Sequence, residues 1–305
     1  MTHKLSVRGW LALLVCVTLW GSGFIGIRMA LPAYSPSHLA LLRFLAASAT
    51  ILIYALIAGV RPPARKDVPY ILVMGFISIT VYHVALNAGE RTVTGGAASM
   101  LVASAPIFAA LLARVALDER LRAWGWIGIA ISFAGVSLIA IGEGGGLRFN
   151  RGAFLVLVAA VSTGISVVLQ KHYLKTYNVT DFSTHLILAG TLFLLPFLPA
   201  LGTAIRQAPL KPTLAVVYLG VFPAAIAYLT WGYVLKRIPA SIAASSLYTP
   251  PIFAIAIGWL VLREVPSPLS IIGGGLAFVG VLLVNTRGHA RKPVEIPVYA
   301  VDRGD

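Results

Sequence analysis

The sequence predicts an all-α integral membrane protein of ten transmembrane helices, arranged as two inverted five-helix repeats. Three observations lead to this fold class. Hydrophobic residues make up 58% of the 305 residues and charged residues only 11%, with a mean hydropathy of +0.88, whereas about a quarter of the residues in soluble domains are charged. The apolar residues form about ten runs, each close to the ~20 residues that cross a bilayer core as a helix. The second half of the chain also repeats the first.

Charged, proline-rich and glycine-rich gaps set the limits of the spans. The basic N-terminus and the first apolar run resemble a secretory signal, but this run is too long and has no small-residue cleavage site, so we interpret it as an uncleaved first span. Pro196 and Pro199 allow the seventh span to end early. The predicted spans cover residues 10–31, 36–59, 68–89, 95–117, 123–142, 151–173, 181–202, 213–235, 240–262 and 268–286.

These spans divide the chain into a first repeat at 8–142 and a second repeat at 151–286. Residues 287–305 are polar, contain Pro293 and Pro297, and have no apolar face to bury. Such a composition cannot offset the entropy of ordering. We therefore predict a disordered cytoplasmic tail.

The distribution of basic residues predicts the orientation in the cell inner (plasma) membrane. One set of gaps holds fifteen lysines and arginines, and the opposite set holds six. Because the richer side faces the cytoplasm, both termini are predicted to be cytoplasmic. The gaps after spans 1, 3, 5, 7 and 9 then form what we call the outer end. The net charge of +14 reflects this asymmetry, and no aromatic-interleaved basic patch indicates nucleic acid as a partner.

The repeat keeps one register over long stretches. At an offset of 145, the letters APIFA from Ala105 match PPIFA from Pro250, Gly75 matches Gly220, and Glu119 matches Glu264. Near the start of each half the offset is 143, so that Arg8 matches Arg151. Five spans is an odd number, so the second copy enters the membrane from the opposite side. Inverted repeats are typical of secondary transporters that work by alternating access; the alternative is that duplication only enlarged a membrane protein.

Several motifs resemble a known family. They are Trp20-Gly21-Ser22-Gly23-Phe24, Leu42-Arg43-Phe44, and proline-containing fourth and ninth spans that each lead to a glutamate. Together they resemble the drug/metabolite transporter superfamily and, within it, the ten-span EamA-like metabolite exporters. The resemblance implies a carrier of small metabolites, often amino acids or drugs, with a central cavity shared by both halves. Trp20, Ser22 and Arg43 are cavity candidates on this ground.

Polar residues at depth are the other cavity candidates, because such residues in a span usually face the bundle interior. Arg43 lies roughly 10 Å into the second span at 1.5 Å per residue, so it either reaches the interface or turns inward to hold a carboxylate. Thr80, His83 and Asn87 share one helical face near the middle of the third span. His83 either serves proton-linked transport or substrate binding, or is hydrogen-bonded in packing.

Weaker candidates lie in the second repeat. Serines and threonines in membrane helices most often serve close packing or bond to the backbone, and Tyr228 and Trp231 form either an aromatic wall or plain packing. The polar positions are Ser162, Ser166, Ser245 and Thr249. Prolines at depth free backbone groups and mark bending points for the alternating gates. These gating candidates are Pro106, Pro223, Pro250 and Pro251.

Several chemistries are not indicated. The sequence contains no HExxH, no GxSxG elbow and no phosphate-binding loop, so we predict no enzyme, no cofactor and no metal site. The expected partners are a small-molecule substrate, the lipid bilayer and possible protons. If transport is coupled to protons, the proton is carried by His83, by Glu90 in a wet outer cavity, or by the substrate itself. Uniport without protons agrees equally well with the sequence. The sequence leaves open which substrate is carried, in which direction it is transported, and whether the protein is a monomer or a homodimer.

Overall fold

The computed structural model describes residues 7–116, 121–144, 150–174, 176–235 and 246–287. Within these ranges all regular secondary structure is helical, and nine helices are long and apolar enough to cross a membrane. A shorter apolar helix, Pro250–Leu262, follows one of the gaps. The predicted all-α fold with ten helical spans in two repeats is confirmed.

The spans keep their sequence numbering. Their helices are Val7–Ala30 (span 1), Pro36–Ala58 (span 2), Val68–Gly75 and Tyr82–Gly89 joined by the π-helical Phe76–Val81 (span 3), Gly95–Val102 and Ala105–Ala116 (span 4), Ala123–Gly142 (span 5), Arg151–Tyr173 (span 6), Val179–Leu194 with the 3-10 turn Leu195–Phe197 (span 7), Leu210–Leu219 and Ala227–Leu235 joined by the π-helical Gly220–Ile226 (span 8), Pro250–Leu262 (span 9) and Pro268–Arg287 (span 10). The 3-10 turn Arg65–Asp67 precedes span 3, and the short helix Leu201–Gln207 lies between spans 7 and 8.

Two predicted limits change. Span 7 ends at Phe197 and not at 202, because Pro196 and Pro199 stop the helix and Ala200 takes a left-handed φ of 64°. Span 8 starts earlier, at Leu210, after Pro209 as its N-cap. Span 9 is described from Ser246, which is helical, and after a break at 247–249 the helix Pro250–Leu262 follows. Residues 240–245, where this span is predicted to begin, lie outside the described residues, as does the predicted tail beyond Arg287. The domain limits remain predictions.

The first span of each repeat packs against the fourth span of the other repeat. Gly21 of span 1 abuts Pro250 and Phe253 of span 9, and its counterpart Gly164 of span 6 abuts Ala105 and Phe108 of span 4. Each pair of partners is separated by the repeat offset, so span 1 of one repeat packs on the fourth span of the other. Absence of a side chain permits this close backbone approach.

Matched positions also meet each other. The Ser48 hydroxyl of span 2 lies 2.8 Å from the Thr191 hydroxyl of span 7, and these residues are 143 positions apart. The Ser132 hydroxyl of span 5 donates to the Ala277 carbonyl of span 10 over 2.6 Å, across a separation of 145. Spans 2 and 7, and spans 5 and 10, therefore meet along the pseudo-two-fold axis.

The irregular segments repeat as well. Shifting Phe76–Val81 by 145 places it on residues 221–226, inside the second π-helical segment, Gly220–Ile226. Span 4 breaks at Ala103 and Ser104, just before Pro106, and in the matching position Pro250 and Pro251 begin the helix of span 9. Each repeat thus carries a widened turn in its third span and a proline break in its fourth.

The outside of the bundle suits a bilayer. Its large exposed side chains are aliphatic and aromatic, with Leu56 and Ile57 more than four-fifths exposed and Trp126 about half exposed. At the outer end, the Glu143 carboxylate accepts from the Thr94 N–H of span 4 over 2.8 Å and from the Ser270 hydroxyl of span 10 over 2.9 Å. This acid joins two helix N-termini, where negative charge is favourable.

Candidate functional site

A polar stripe runs along the inward face of span 3. Thr80, His83, Asn87 and Glu90 are spaced three or four residues apart, and their exposed fractions are 7%, 4%, 0% and 0%. The stripe therefore faces the protein interior and not lipid. It reaches from the π-helical segment to the outer end of the span, where Glu90 follows the last helical residue, Gly89.

Arg43 faces this stripe from span 2. The side chain is 6% exposed, so it turns inward and does not reach the interface. Its Cζ atom lies 5.6 Å from the centre of the Phe44 ring, and its charge acts on Tyr82, Tyr228 and Glu90. Its Nε has no hydrogen-bond partner among the described residues. A buried guanidinium with an unused donor is costly in a membrane unless something else binds it.

His83 and Asn87 also have unused hydrogen-bonding capacity. The His83 ring lies 4.6 Å from both the Phe44 and the Tyr82 ring centroids, and its Nδ1 lacks a partner among the described residues. The Asn87 amide donates to the Pro36 carbonyl over 3.0 Å, while its Oδ1 is left without a donor among the same residues. Thr80 differs, because its hydroxyl donates to the Gly190 carbonyl over 3.0 Å.

An aromatic wall adjoins these polar groups from spans 1 and 8. Trp20 lies 6.0 Å from Tyr228 and 5.3 Å from Trp231 between ring centroids. Tyr228 is the link to the polar side, since its hydroxyl is within electrostatic range of Arg43. The structure therefore brings together Trp20, Arg43, His83, Tyr228 and Trp231, which we call the central cluster, and Asn87 lies one helical turn beyond His83 on the same face.

Other candidate side chains lie apart from the central cluster and are occupied. The Ser22 hydroxyl bonds Tyr218 over 2.7 Å, beside an apolar cleft of about 570 Å³ between spans 1, 8 and 9. Ser166 bonds Ser78 over 2.5 Å and the Ser162 carbonyl over 2.7 Å. Thr249 donates to the Ser246 carbonyl over 2.7 Å.

Of the remaining candidates, Ser162 is 3% exposed, and Ser245 lies outside the described residues. The four prolines sit at the irregular segments. Pro223 lies inside the π-helical part of span 8, against Gly23, while Pro106, Pro250 and Pro251 lie at the starts of helices. Their gating role stays a prediction.

The outer end carries a second group of charges. Arg28 Nε lies 3.2 Å from Oε1 and 3.3 Å from Oε2 of Glu264, and Arg28 Nη1 donates to the main-chain carbonyl of Glu90. The Glu90 carboxyl itself is fully buried, and neither of its oxygens has a hydrogen-bond partner among the described residues. Glu90 is thus fully buried in the protein and does not line an open outer cavity of the kind considered from the sequence.

Three further residues surround the candidate site. Glu90 continues the spacing of His83 and Asn87 by three residues, so the stripe pattern could have included it. Tyr82 and Phe44 flank His83. Phe44 belongs to the Leu42-Arg43-Phe44 motif, whereas no sequence signal separates Tyr82 from the other residues of its span. No group of three histidine, cysteine or acidic side chains suited to a metal occurs in the described part of the chain.

Comparison with known proteins agrees with this architecture. The model of the EamA-like transporter family matches residues 7–141 and again 150–286. A solved crystal structure superposes with a TM-score of 0.61 at 20% identity, covering 90% of this chain and 96% of its own, which shows the fold.

Three curated relatives are similar over almost their whole length. The uncharacterized transporter YdfC of Bacillus subtilis is 39% identical, covering 99% of this chain and 98% of its own. The probable terminal-alkyne amino-acid exporter of Streptantibioticus cattleyicolor is 40% identical, covering 95% and 97%. The uncharacterized inner membrane transporter YedA of Escherichia coli K12 is 27% identical, covering 94% of each chain. The two consecutive family matches, one for each half of the bundle, place the chain in the EamA-like transporter family.

Proposed function

We propose that this membrane transporter exports small zwitterionic metabolites of the amino-acid class by alternating access. The observation that carries the proposal is the buried Arg43 guanidinium with its unused Nε. A carboxylate is the natural partner of such a group, because charge-assisted hydrogen bonds to guanidinium are among the strongest in proteins. The substrate carboxylate binds Arg43 and serves as the ion-pair partner that an Asp or Glu side chain would otherwise provide.

The aromatic wall defines the other half of the substrate. Trp20, Tyr228 and Trp231 present ring surface that suits an apolar or unsaturated side chain, and Tyr228 lies within electrostatic range of Arg43. Asn87 Oδ1 and His83 Nδ1 offer further polar contacts. This combination supports an amino acid, and the similarity to a probable terminal-alkyne amino-acid exporter supports the same class and the outward direction.

Alternating access is supported by the repeated irregular segments. The π-helical segments of spans 3 and 8 and the proline breaks of spans 4 and 9 lie at matched positions of inverted repeats. Widened turns and prolines leave backbone hydrogen bonds weakened, so helices bend there most easily. Bending one repeat opens one side, and bending the other repeat opens the opposite side.

The proposed orientation has a direct test. With both termini in the cytoplasm, a reporter that is active only in the periplasm gives no signal when fused at either end. A signal from either fusion would show that this terminus is periplasmic and would contradict the predicted orientation.

The test of function is analysis of the growth medium from cells overproducing the protein. We expect one amino-acid-like class to accumulate relative to an empty vector. Arg43→Gln should reduce accumulation, because loss of a charge-assisted bond of about 1.5–3 kcal/mol weakens binding about tenfold to hundredfold. Arg206→Gln, at an exposed position between spans 7 and 8, is the matched control.

Purified protein in liposomes then separates export from import or exchange. Counterflow of a broad amino-acid panel should show saturable transport that depends on Arg43. If no member of the panel moves, the proposed substrate class is wrong.

A further inference from the structure

The Glu90 carboxyl occupies an unusual place in this molecule. It is 0% exposed, and both of its oxygens lack hydrogen-bond partners among the described residues. The turn that carries it packs tightly on span 6, where Gly89 abuts Gly152 and Val156. A carboxylate taken out of water without a partner is strongly unfavourable, and at such a site it either binds a cation or takes up a proton.

The charges around Glu90 are few and mostly engaged. Arg28 of span 1, Arg43 of span 2 and Glu264 after span 9 act on it electrostatically. Arg28 is held by the Glu264 carboxylate and reaches only the main chain of Glu90. His83 and Tyr82 lie further along its own helix, and span 6 presents the backbone of Gly152 and Val156 and the apolar Val156 side chain at Gly89, with no charged group among these nearest atoms. Arg43 acts on Glu90 only through space, so the Glu90 carboxyl has no direct hydrogen-bond partner among the described residues, on the same face as the central cluster.

A zwitterionic substrate supplies the missing cation. Its carboxylate and ammonium groups lie only a few bonds apart, so a molecule whose carboxylate is held by Arg43 places its ammonium on the side of the polar stripe. Asn87 is one helical turn from Glu90 and has an unused acceptor. Glu90 is the charged acceptor at the end of this stripe.

We propose that the Glu90 carboxyl binds either a proton or the ammonium group of the substrate, one at a time, so that zwitterion export is coupled to proton entry. The role of the ammonium rests on the proposed function; the buried proton site does not. In the present conformation the outer end is closed by the Arg28–Glu264 pair, and Glu90 carries the proton as a neutral carboxylic acid.

The cycle balances in charge and protons. On the cytoplasmic side the substrate ammonium displaces the proton from Glu90, and this proton leaves to the cytoplasm. When the Arg28–Glu264 pair opens towards the depression of about 420 Å³ lined by both residues, the substrate leaves and the carboxylate takes a proton from outside. One proton enters for each zwitterion exported, so one positive charge moves inward in each cycle.

The proton site is tested without any substrate by infrared spectroscopy of the purified protein in lipid at neutral pH. We expect the carbonyl stretch of a protonated carboxylic acid in wild type, and its loss in Glu90→Gln, which has the shape and neutrality of the protonated acid. Glu143→Gln is the control, because the Glu143 carboxylate is filled by N–H and O–H donors and should contribute no such band. An unchanged band in Glu90→Gln, or a band removed by sodium at constant pH, would overturn the proton site.

Coupling is tested in proteoliposomes with propargylglycine, a terminal-alkyne amino acid, as the probe. In wild type a pH gradient should drive accumulation by about tenfold per pH unit, as expected for one proton per substrate. Glu90→Gln should lose this response, and Glu90→Asp should keep it. A pH-driven response that survives in Glu90→Gln would overturn the coupling. If wild type moves no propargylglycine while the infrared band belongs to Glu90, the assigned substrate class is wrong and the proton site stands.

Discussion

The two repeats share one backbone design and carry opposite chemistry. Their π-helical segments, proline breaks and close glycine contacts occupy matched positions. At an offset of 145, however, the stripe of Thr80, His83, Asn87 and Glu90 becomes Ala225, Tyr228, Gly232 and Leu235. At an offset of 143, Arg43 becomes Leu186. The first repeat therefore supplies the charged and polar groups and one ring of the aromatic wall, Trp20, whereas the second supplies only aromatic rings, Tyr228 and Trp231.

This contrast separates what symmetry must preserve from what it can change. Bending of both halves in turn needs equivalent hinges, so backbone features recur. The substrate occupies one site at the centre and has different ends, so the side chains around it can diverge. Variants in matched positions should consequently behave alike when they affect the scaffold and differently when they affect the central cluster.

The largest effect should come from the glycines that begin or precede the π-helical segments. A methyl group at Gly75 would come within 2.6 Å of the Gly190 nitrogen, and one at Gly220 would collide with the Arg43 carbonyl. Gly75→Val and Gly220→Val should each destabilise the fold by about 1–3 kcal/mol or more through overpacking. Thermal unfolding in detergent should show similar losses for both, whereas Gly202→Val, with open space around it, should match wild type. Unequal losses would argue against equivalent scaffolds.

His83→Ala should affect transport more than folding. The ring fills the space between Phe44 and Tyr82, and its removal takes away a polar contact of the substrate. We expect insertion into the membrane and a half-saturation concentration raised about tenfold, equivalent to about 1.4 kcal/mol. Because Glu90 is proposed to carry the proton, the pH dependence of transport between pH 5 and 8, across the range in which histidine titrates, should follow wild type. A flattened pH profile would mean that His83 and not Glu90 carries the proton. Unchanged transport would mean that His83 serves only in helix packing.

A smaller effect is expected from the aromatic wall of the second repeat. Tyr228→Ala removes a ring that packs edge-on against Trp20, an interaction worth about 0.5–1.5 kcal/mol. Half-saturation for amino acids with large apolar side chains should rise about twofold to tenfold, with little change for small ones. Tyr228→Phe keeps the ring and serves as the control. Equal losses for large and small substrates would contradict an aromatic wall.

The smallest effect should come from the axis itself. Ser48→Ala or Thr191→Ala removes the hydrogen bond between spans 2 and 7, and such bonds in membrane proteins contribute about 0.6 kcal/mol on average. Each variant should unfold slightly earlier, and the double variant should lose less than the sum, since both changes remove one interaction. Full additivity would mean that the two hydroxyls act independently.

Much of the fold could be predicted because its signals are local. The apolar runs predict the spans, and Pro36, Pro69 and Pro268 lie in the first turns of spans 2, 3 and 10. Span 7 was predicted too long, since hydropathy continues past Pro196 although the helix stops there. The π-helical segments were not foreseen, because a widened turn has the same composition as the α-helix around it.

The candidate site was harder to predict. Depth and spacing selected the stripe at Thr80, His83 and Asn87, but placing Arg43 required knowing how span 2 is rotated. Ser22 shares the first-span motif with Trp20, yet bonds Tyr218 beside a lateral cleft. Two residues on one turn of a helix can point to different neighbours, and no local signal decides which faces the centre.

The sequence alone determined that this chain resides in a membrane, that it has ten spans and that its halves are inverted copies. These properties follow from hydropathy, which acts on each segment separately, and from an odd number of spans in each repeat. Only the tertiary structure decided that Arg43 lies within electrostatic range of both His83 and Tyr228, that Tyr228 packs on Trp20, and that the buried Glu90 carboxyl has no hydrogen-bond partner among the described residues. Those contacts join distant segments through helix rotation and crossing, which depend on how all the spans pack together.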